Sequence, residues 1–154
     1  MIVFLDTGIL GFVTNPVPKS MLTYAIKRWC IALETFGHQI IVPEICDYEL
    51  RRELLRLGKG DAVEALDQFN FRVPNRFLPI EQSAMQIAAQ EWARLRMIGK
   101  PTASSASLDG DVILAGQVLD QQLSLREYVV ATTNVQHLDQ LVNAKLWADL
   151  ENVL

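Results

Sequence analysis

The feature that most constrains the fold is a regular alternation of short apolar runs with longer amphipathic segments. Residues 2–5, 39–42 and 128–131 form largely apolar runs of the length of buried strands. Between such runs, apolar side chains recur at helical spacing, as in the segment 81–98. Strands that are separated by helices favour a parallel sheet with helices packed on both faces. We therefore predict a single α/β domain with three α/β/α layers and a short central parallel sheet.

Proline, glycine and small polar residues set the boundaries that we predict for the elements. Residues 6–8 break the first strand, residues 15–18 form a turn, and Ser20 caps a helix that runs to about residue 36. Pro43 occupies the first turn of a helix that ends near Gly58. The remaining predicted elements, in chain order, are a helix at 62–69, a strand at 77–80, a helix at 81–98, a loop at 99–107, a helix at 108–123, a helix at 134–142 and an edge strand at 145–148.

Composition limits the classes of protein to which this chain can belong. Its 154 residues suffice for one domain, and with 50% hydrophobic and 21% charged residues the chain is globular rather than disordered. No apolar run approaches the roughly 20 residues of a membrane span, and the apolar start lacks the basic region of a signal peptide, so we expect a cytoplasmic protein. The net charge of −4 argues against a protein that coats DNA, but not against a nucleic-acid enzyme whose carboxylates hold Mg²⁺.

Polar residues from separate segments are predicted to meet at one edge of the sheet, where the parallel strands end. Asp6 directly follows the first strand, Glu49 lies in the first two turns of the helix after the second strand, and Asn134 follows the fourth strand. Asp111, with Asp109 beside it, lies in the first turn of the helix predicted from residue 108. Ligands of open α/β sheets bind beyond the carboxyl ends of the strands. Carboxylates clustered there cannot all stay ionised and unpaired, and a hard divalent cation with oxygen ligands would stabilise them.

The segments around these residues form an ordered set of motifs. The pieces are Phe4-Leu5-Asp6-Thr7, Glu49-Leu50-Arg51-Arg52, Asp109-Gly110-Asp111-Val112-Ile113-Leu114-Ala115 and Thr132-Thr133-Asn134-Val135-Gln136-His137-Leu138. In order and spacing, and over nearly the whole chain, the set resembles PIN-domain proteins of the VapC-like ribonuclease toxin type. The resemblance implies cleavage of RNA that depends on Mg²⁺ or Mn²⁺, a small antitoxin as partner, and a homodimer.

Carried over position by position, the resemblance implies a role for each matched residue. Asp6, Glu49 and Asp111 match the acidic metal-site positions, and Asn134 matches the fourth catalytic position, which is often Asp. His137 matches a residue near the site that is frequently Asp or His. The secondary candidates are Asp109, His137 and Thr7. The family's chemistry implies in-line attack of water on the phosphodiester, which leaves a 5′-phosphate and a 3′-hydroxyl.

Two positions depart from the family's pattern. Gly8 stands where the family usually carries Asn or Ser, so one polar contact is missing. Asn134 carries no charge, so a second metal ion would bind less tightly there. The resemblance therefore leaves open whether the site holds one metal ion or two.

Each candidate also has a purely structural interpretation. Asp6 could cap a turn, Glu49 could be an exposed helix acid, and Asp109 could only favour a helix N-terminus. Asn134 could cap a following helix and bind a metal at the same time, since these roles are compatible.

Other classes of protein fit the sequence less well. The triplet at residues 6–8 also resembles the signature of aspartic proteases, but those proteins are rich in β-structure and this pattern is rich in helix. The segment 99–102 lacks the upstream glycine of a nucleotide-binding loop and contains a proline. Cys30 and Cys46 lack the spacing of a zinc site and are expected to be buried free thiols. The remaining alternative is a non-catalytic PIN-like module that binds nucleic acid or protein and has a degenerate metal site.

Overall fold

The structure, a computed structural model, describes residues 1–98 and 105–150, with no side-chain detail for 105–108. Within these residues five parallel strands form one sheet in the order β3-β2-β1-β4-β5. The strands are β1 (Ile2–Leu5), β2 (Gln39–Pro43), β3 (Phe77–Leu78), β4 (Tyr128–Thr132) and β5 (Ala144–Leu146). The helices are α1 (Thr7–Thr14), α2 (Met21–Thr35), α3 (Glu44–Arg56), α4 (Gly60–Arg72), α5 (Gln82–Met97), α6 (Ser105–Leu119) and α7 (Trp147–Leu150).

The centre of the core is β1, which pairs with β2 on one side and β4 on the other. Val3, Phe4 and Leu5 are essentially inaccessible to solvent, and all five residues of β4 are buried. Strands that are buried on both faces need helices on both faces, as is usual for an all-parallel sheet. The predicted three-layer α/β/α architecture is confirmed, and the fold is PIN-like.

The first helix, α1, was not predicted from the sequence. The segment expected to contain only a strand break and a turn forms a helix from Thr7 to Thr14, and Asp6 is its N-cap. Its two glycines and its β-branched residues give it low helix propensity. The helix forms because Ile9, Leu10 and Val13 are buried in the core, and this tertiary burial outweighs the weak local preference.

The region after β4 also differs from the prediction. The helix expected at 134–142 is wrong, because residues 136–141 form successive turns in which Leu141 N–H bonds to Leu138 O at 3.0 Å. The expected edge strand at 145–148 begins and ends earlier, and α7 follows it. Leu138 and Val142 are buried and anchor these turns to the core.

Two boundaries around α6 also differ. The loop predicted at 99–107 ends earlier, because residues 105–107 are helical, and residues 99–104 lie outside the described part of the chain. The helix ends at Leu119 rather than at residue 123.

The predictions about thiols and about membrane spans are compatible with the structure. Cys30 and Cys46 are buried and form no disulfide, as predicted. Among the helices of the described residues, none has the length and apolar character needed to cross a bilayer.

Helices α5 and α6 pack closely against each other at Gly116. A Cβ built on Gly116 would overlap the carbonyl oxygen of Ala84 and would lie 3.1 Å from the Cβ of Ala88. The backbones of the two helices can approach this closely only because residue 116 has no side chain.

We predict that Gly116→Ala destabilises the protein by about 1–3 kcal/mol, because the buried helix pair must separate to make room for a methyl group. Urea unfolding followed by circular dichroism measures this change. Gly60→Ala is the matched control, since Gly60 opens α4 with nothing within 4 Å of an added Cβ. Equal urea midpoints for the two variants would contradict the conclusion that α5 and α6 leave no room for a side chain at position 116.

Candidate acidic active site

The candidate site begins where β1 and β4 end side by side. Leu5 is in register with Ala131, and Asp6 N–H bonds to Ala131 O at 3.1 Å. One carboxylate oxygen of Asp6 accepts from Thr7 N–H at 2.7 Å, and the other accepts from Thr132 Oγ1 at 2.7 Å. Asp6 therefore caps α1 and is also held by the neighbouring strand, so that its orientation is fixed from two sides.

Glu49 approaches the same edge from α3. Its Oε2 accepts a hydrogen bond from Thr7 Oγ1 at 2.6 Å. Its Oε1 lies against the backbone of α6, where a Cβ built on Gly110 would overlap it. The half-buried carboxylate of Glu49 thus lies between the start of α1 and the first turns of α6, where it meets Gly110, the residue that precedes Asp111.

Asp111 adds a third carboxylate to this region. Burial, together with the negative charges of Asp6 and Glu49, raises its pKa to about 6, although nearby His137 acts in the opposite direction. The pKa of Asp6 is also raised, chiefly by burial, although its hydrogen bonds from Thr132 and Thr7 oppose the shift. Among the described residues no Lys or Arg forms an ion pair with Asp6, Glu49 or Asp111. The three side chains therefore form an acidic cluster that no Lys or Arg of the described residues neutralises by an ion pair.

The other predicted site residues are arranged less favourably. Asn134 is exposed at this edge, but its Oδ1 accepts from Gln136 N–H at 3.1 Å and so closes a turn rather than a helix cap. His137 is partly buried, and its Nδ1 has no hydrogen-bond partner among the described residues. Asp109 is exposed and lines a separate apolar cleft with Trp92 on α5. The structure brings His137 near Asp111 but leaves Asp109 outside the cluster.

Thr132 is a site residue that the sequence interpretation did not single out. It is fully buried at the end of β4, donates to Asp6 and accepts from Asn134 N–H at 3.0 Å. Thr7 has the corresponding position on α1, because its backbone bonds to Asp6 and its hydroxyl bonds to Glu49. The signal for Thr132 in the sequence was a hydroxyl residue directly after the predicted strand at 128–131. Its partner Asp6, however, lies 126 positions away in the chain.

A second overlooked residue is Gln117, whose side chain joins the two helices that carry Glu49 and Asp111. Its buried amide accepts from Ile45 N–H at 3.1 Å, at the start of α3, and donates to Leu78 O at 2.7 Å. A glutamine within the apolar run of α6 was the available signal. Because a buried amide must be hydrogen-bonded, Gln117 fixes α6 relative to α3 and β3.

The chemistry of these side chains fits a hard divalent cation. Carboxylate oxygens are the ligands preferred by Mg²⁺ and Mn²⁺, and a cation would stabilise the ionised form of Asp111, whose pKa is raised by burial and by the charges of Asp6 and Glu49. As the side chains lie, however, no three His, Cys, Asp or Glu residues within the described ranges are close enough together to hold one ion. Asp6 and Glu49 are directed towards the hydroxyls of Thr132 and Thr7 instead.

Comparison with known proteins identifies the fold. No family model and no curated protein matches the chain. Among solved structures, the chain resembles one in VapBC2 from Rickettsia felis bound to a promoter DNA fragment, with 17% identity and a TM-score of 0.70 over 96% of this chain and 99% of the other. It also resembles a chain of FitAcB from Neisseria gonorrhoeae, with 21% identity and a TM-score of 0.63 over 92% and 95%. A third similar chain is that of DNA-bound VapBC from Salmonella typhimurium, with 20% identity and a TM-score of 0.64 over 96% of this chain and 98% of the other.

These comparisons correct the family prediction made from the motifs. The matching chains are only 17–21% identical, and they come from structures of VapBC and FitAcB complexes whose names do not assign the matched chain to the toxin component. Together with the absence of any matching family model, this overturns the assignment of the chain to the VapC-like toxin family. The likeness is one of fold.

Proposed function

We propose that this protein is an endoribonuclease that depends on Mg²⁺ or Mn²⁺ and hydrolyses phosphodiester bonds in RNA. The observation that carries the proposal is the acidic cluster of Asp6, Glu49 and Asp111 at the carboxyl edge of a parallel sheet. Three separate elements supply these carboxylates, and the pKa of Asp111 is raised to about 6. Perturbed acids that converge at the ligand edge of an α/β sheet are typical of functional sites.

The roles of the residues follow from their contacts. Asp6, Glu49 and Asp111 would hold the cation, which when bound would stabilise negative charge on the attacked phosphate and lower the pKa of water. The hydroxyls of Thr132 and Thr7 hold the first two carboxylates at 2.7 Å and 2.6 Å, so the acids are positioned before any substrate arrives. Asn134 and His137 would contact the substrate or the cation from the turns that follow β4. The expected products carry a 5′-phosphate and a 3′-hydroxyl.

The likeness to VapBC and FitAcB chains supports a toxin–antitoxin setting for this activity. In that setting a small antitoxin protein would be the partner, and the active form would be a homodimer. RNA is the expected substrate.

A non-catalytic PIN-like binding module is the second candidate function. One observation in its favour is that Asn134 Oδ1 already accepts a hydrogen bond within a turn. The other is that no three acidic side chains within the described ranges are close enough to bind one ion. Such a protein would bind nucleic acid or protein without cleaving it.

We predict that the purified protein with Mn²⁺ cleaves single-stranded RNA, and that Asp6→Asn and Asp111→Asn each reduce the rate at least about 100-fold, because each removes a charged cation ligand. Denaturing gels with end-labelled RNA measure both the rate and the chemistry of the new ends. Asp109→Asn is the matched control, since Asp109 is an exposed acid two residues before Asp111 on the same helix.

The control variant should retain the wild-type rate, and EDTA should abolish cleavage by every active form. Nucleic-acid binding without cleavage by the wild type over several RNA substrates would favour the binding module instead. A loss in Asp109→Asn equal to that in Asp111→Asn would contradict the assignment of the cluster.

A further prediction concerns the free energy of unfolding that the metal-free protein loses when Asp111 is ionised. Because the native state raises its pKa from 3.8 to about 6, the native state binds this proton more tightly than the unfolded chain does. The metal-free protein should therefore lose stability as the pH rises from about 4 through about 6. With allowance for its partial exposure, Asp111→Asn should stabilise the metal-free protein by about 1 kcal/mol near neutral pH.

Thermal unfolding in EDTA at about pH 4 and about pH 7.5 tests this expectation. The gain in Asp111→Asn should appear at the higher pH and vanish at the lower pH, and Mg²⁺ should raise the melting temperature of the wild type more than that of the variant. A difference in stability that is the same at both pH values would count against uncompensated charge as its cause.

A further inference from the structure

Helix α3 exposes a tyrosine and an arginine one turn apart, beside Glu49 of the acidic cluster. Tyr48 is 56% exposed, and the guanidinium carbon of Arg52 lies 5.3 Å from the centre of its ring. Residues four positions apart are neighbours on a helix surface, and a guanidinium at this distance is attracted to the ring face. Arg52 is itself exposed. The Tyr48–Arg52 pair therefore presents an aromatic ring and a positive charge to solvent as one ordered surface.

Within the described residues, the charge of Arg52 is not neutralised by any ion pair. The other two arginines of α3, Arg51 and Arg56, each bond to a carboxylate on α3 or α4. Arg52 forms no such bond, not even with Glu49, which lies three positions before it and accepts from Thr7 instead. Arginine stays protonated at any physiological pH, and its planar guanidinium matches the oxygens of a phosphate. The exposed guanidinium of Arg52 is therefore suited to an anionic ligand.

The place of the Tyr48–Arg52 pair in the fold distinguishes it from other arginines that lie over aromatic rings. Arg76 lies over a ring but is buried, and Arg96 lies over a ring on α5, which carries no residue of the acidic cluster. Arg52 and Glu49, by contrast, are neighbours on the surface of α3. The Tyr48–Arg52 pair thus adjoins the edge of the sheet at which the proposed function places the phosphodiester.

The combination of an exposed ring with an unneutralised arginine fits single-stranded RNA. Each nucleotide of a single strand offers a flat base that stacks on an aromatic ring and a phosphate that binds arginine. In a duplex the bases stack on one another, so their faces cannot reach a tyrosine. The fold itself does not account for Tyr48, which is not part of the hydrophobic core of the described residues. A ligand that supplies both a base and a phosphate would account for it.

We infer that the Tyr48–Arg52 pair is a nucleotide-binding subsite for single-stranded RNA. The ring of Tyr48 stacks on a base that flanks the bond to be cleaved, and Arg52 binds a neighbouring phosphate. Neither contact involves a metal ion, so the subsite operates in the metal-free protein. The inference rests on the proposed function for the choice of RNA, but it concerns binding, and its test does not require cleavage.

Fluorescence anisotropy of a labelled single-stranded RNA in EDTA measures this binding while no cleavage occurs. We expect Tyr48→Ala to weaken binding at least about fivefold, the lower end of the effect of losing one stacked base, and Tyr48→Phe to bind within about twofold of the wild type. Tyr24→Ala is the matched control and should bind as the wild type does. Tyr24 is 51% exposed on α2, four positions before Arg28, and no cation–π contact joins these two described residues.

The dependence of affinity on salt concentration separates the roles of the two side chains. Arg52→Gln should reduce the slope of log affinity against log salt concentration by about 0.7, the value for one phosphate contact on a single strand. Tyr48→Phe should keep the wild-type slope, because it removes no charge. Arg28→Gln is the matched control and should also keep the wild-type slope, since Arg28 is an exposed arginine on α2, which carries no residue of the cluster.

The outcomes distinguish this inference from the proposed function. Wild-type affinity in Tyr48→Ala overturns the inference even if the protein cleaves RNA, as does equal weakening in Tyr24→Ala or a wild type that binds no single-stranded RNA. If Tyr48→Ala dissociates a homodimer in sedimentation but binds RNA as the wild type does, the pair is a protein interface and the inference is overturned. Selective weakening in Tyr48→Ala, in a protein that cleaves no RNA, supports the inference while the nuclease proposal fails.

Discussion

The candidate site depends above all on the parallel pairing of β1 with β4. Their register places Leu5 against Ala131, so Asp6 and Thr132 follow side by side and the Thr132 hydroxyl reaches the Asp6 carboxylate at 2.7 Å. The same carboxylate caps α1 through Thr7 N–H. One pair of buried strands therefore fixes the orientation of the first acid, the start of the first helix and the position of the turn that carries Asn134. A shift of β4 by one residue would turn the Thr132 side chain to the opposite face of the sheet, away from Asp6.

The second constraint is the close approach of α3 and α6. Gly110 leaves room for Glu49 against the backbone of α6, and the buried amide of Gln117 ties α6 to the first turn of α3. On the other side of α3, Arg51 bonds both Asp47 on its own helix and Asp67 on α4. These contacts place Glu49 and Asp111 on rigid elements instead of loops, which is the arrangement that keeps a site preorganised.

This geometry holds like charges together at a cost to stability. The raised pKa values of Asp6 and Asp111 show that burial and mutual repulsion disfavour their ionised forms. Sites that are less stable than their surroundings are often functional, because the missing charge is supplied by a ligand. The hydroxyls of Thr7 and Thr132 relieve part of the cost by hydrogen bonding, but they add no positive charge. The cluster is therefore best suited to a partner that is itself a cation.

The sequence by itself determined the parallel α/β/α architecture and the placement of Asp6 and Asp111 at the ligand edge, because apolar periodicity and strand ends are local patterns. It could not show α1, whose low propensity is overcome by burial of Ile9 and Leu10, or the turns at 136–141 that replace the expected helix. Only the tertiary structure decided that Thr132 holds Asp6, that Asp109 faces another cleft and that Thr133 fills the space over Gly8. Each of these depends on contacts between residues far apart in the chain, and such contacts leave no periodic trace in the sequence.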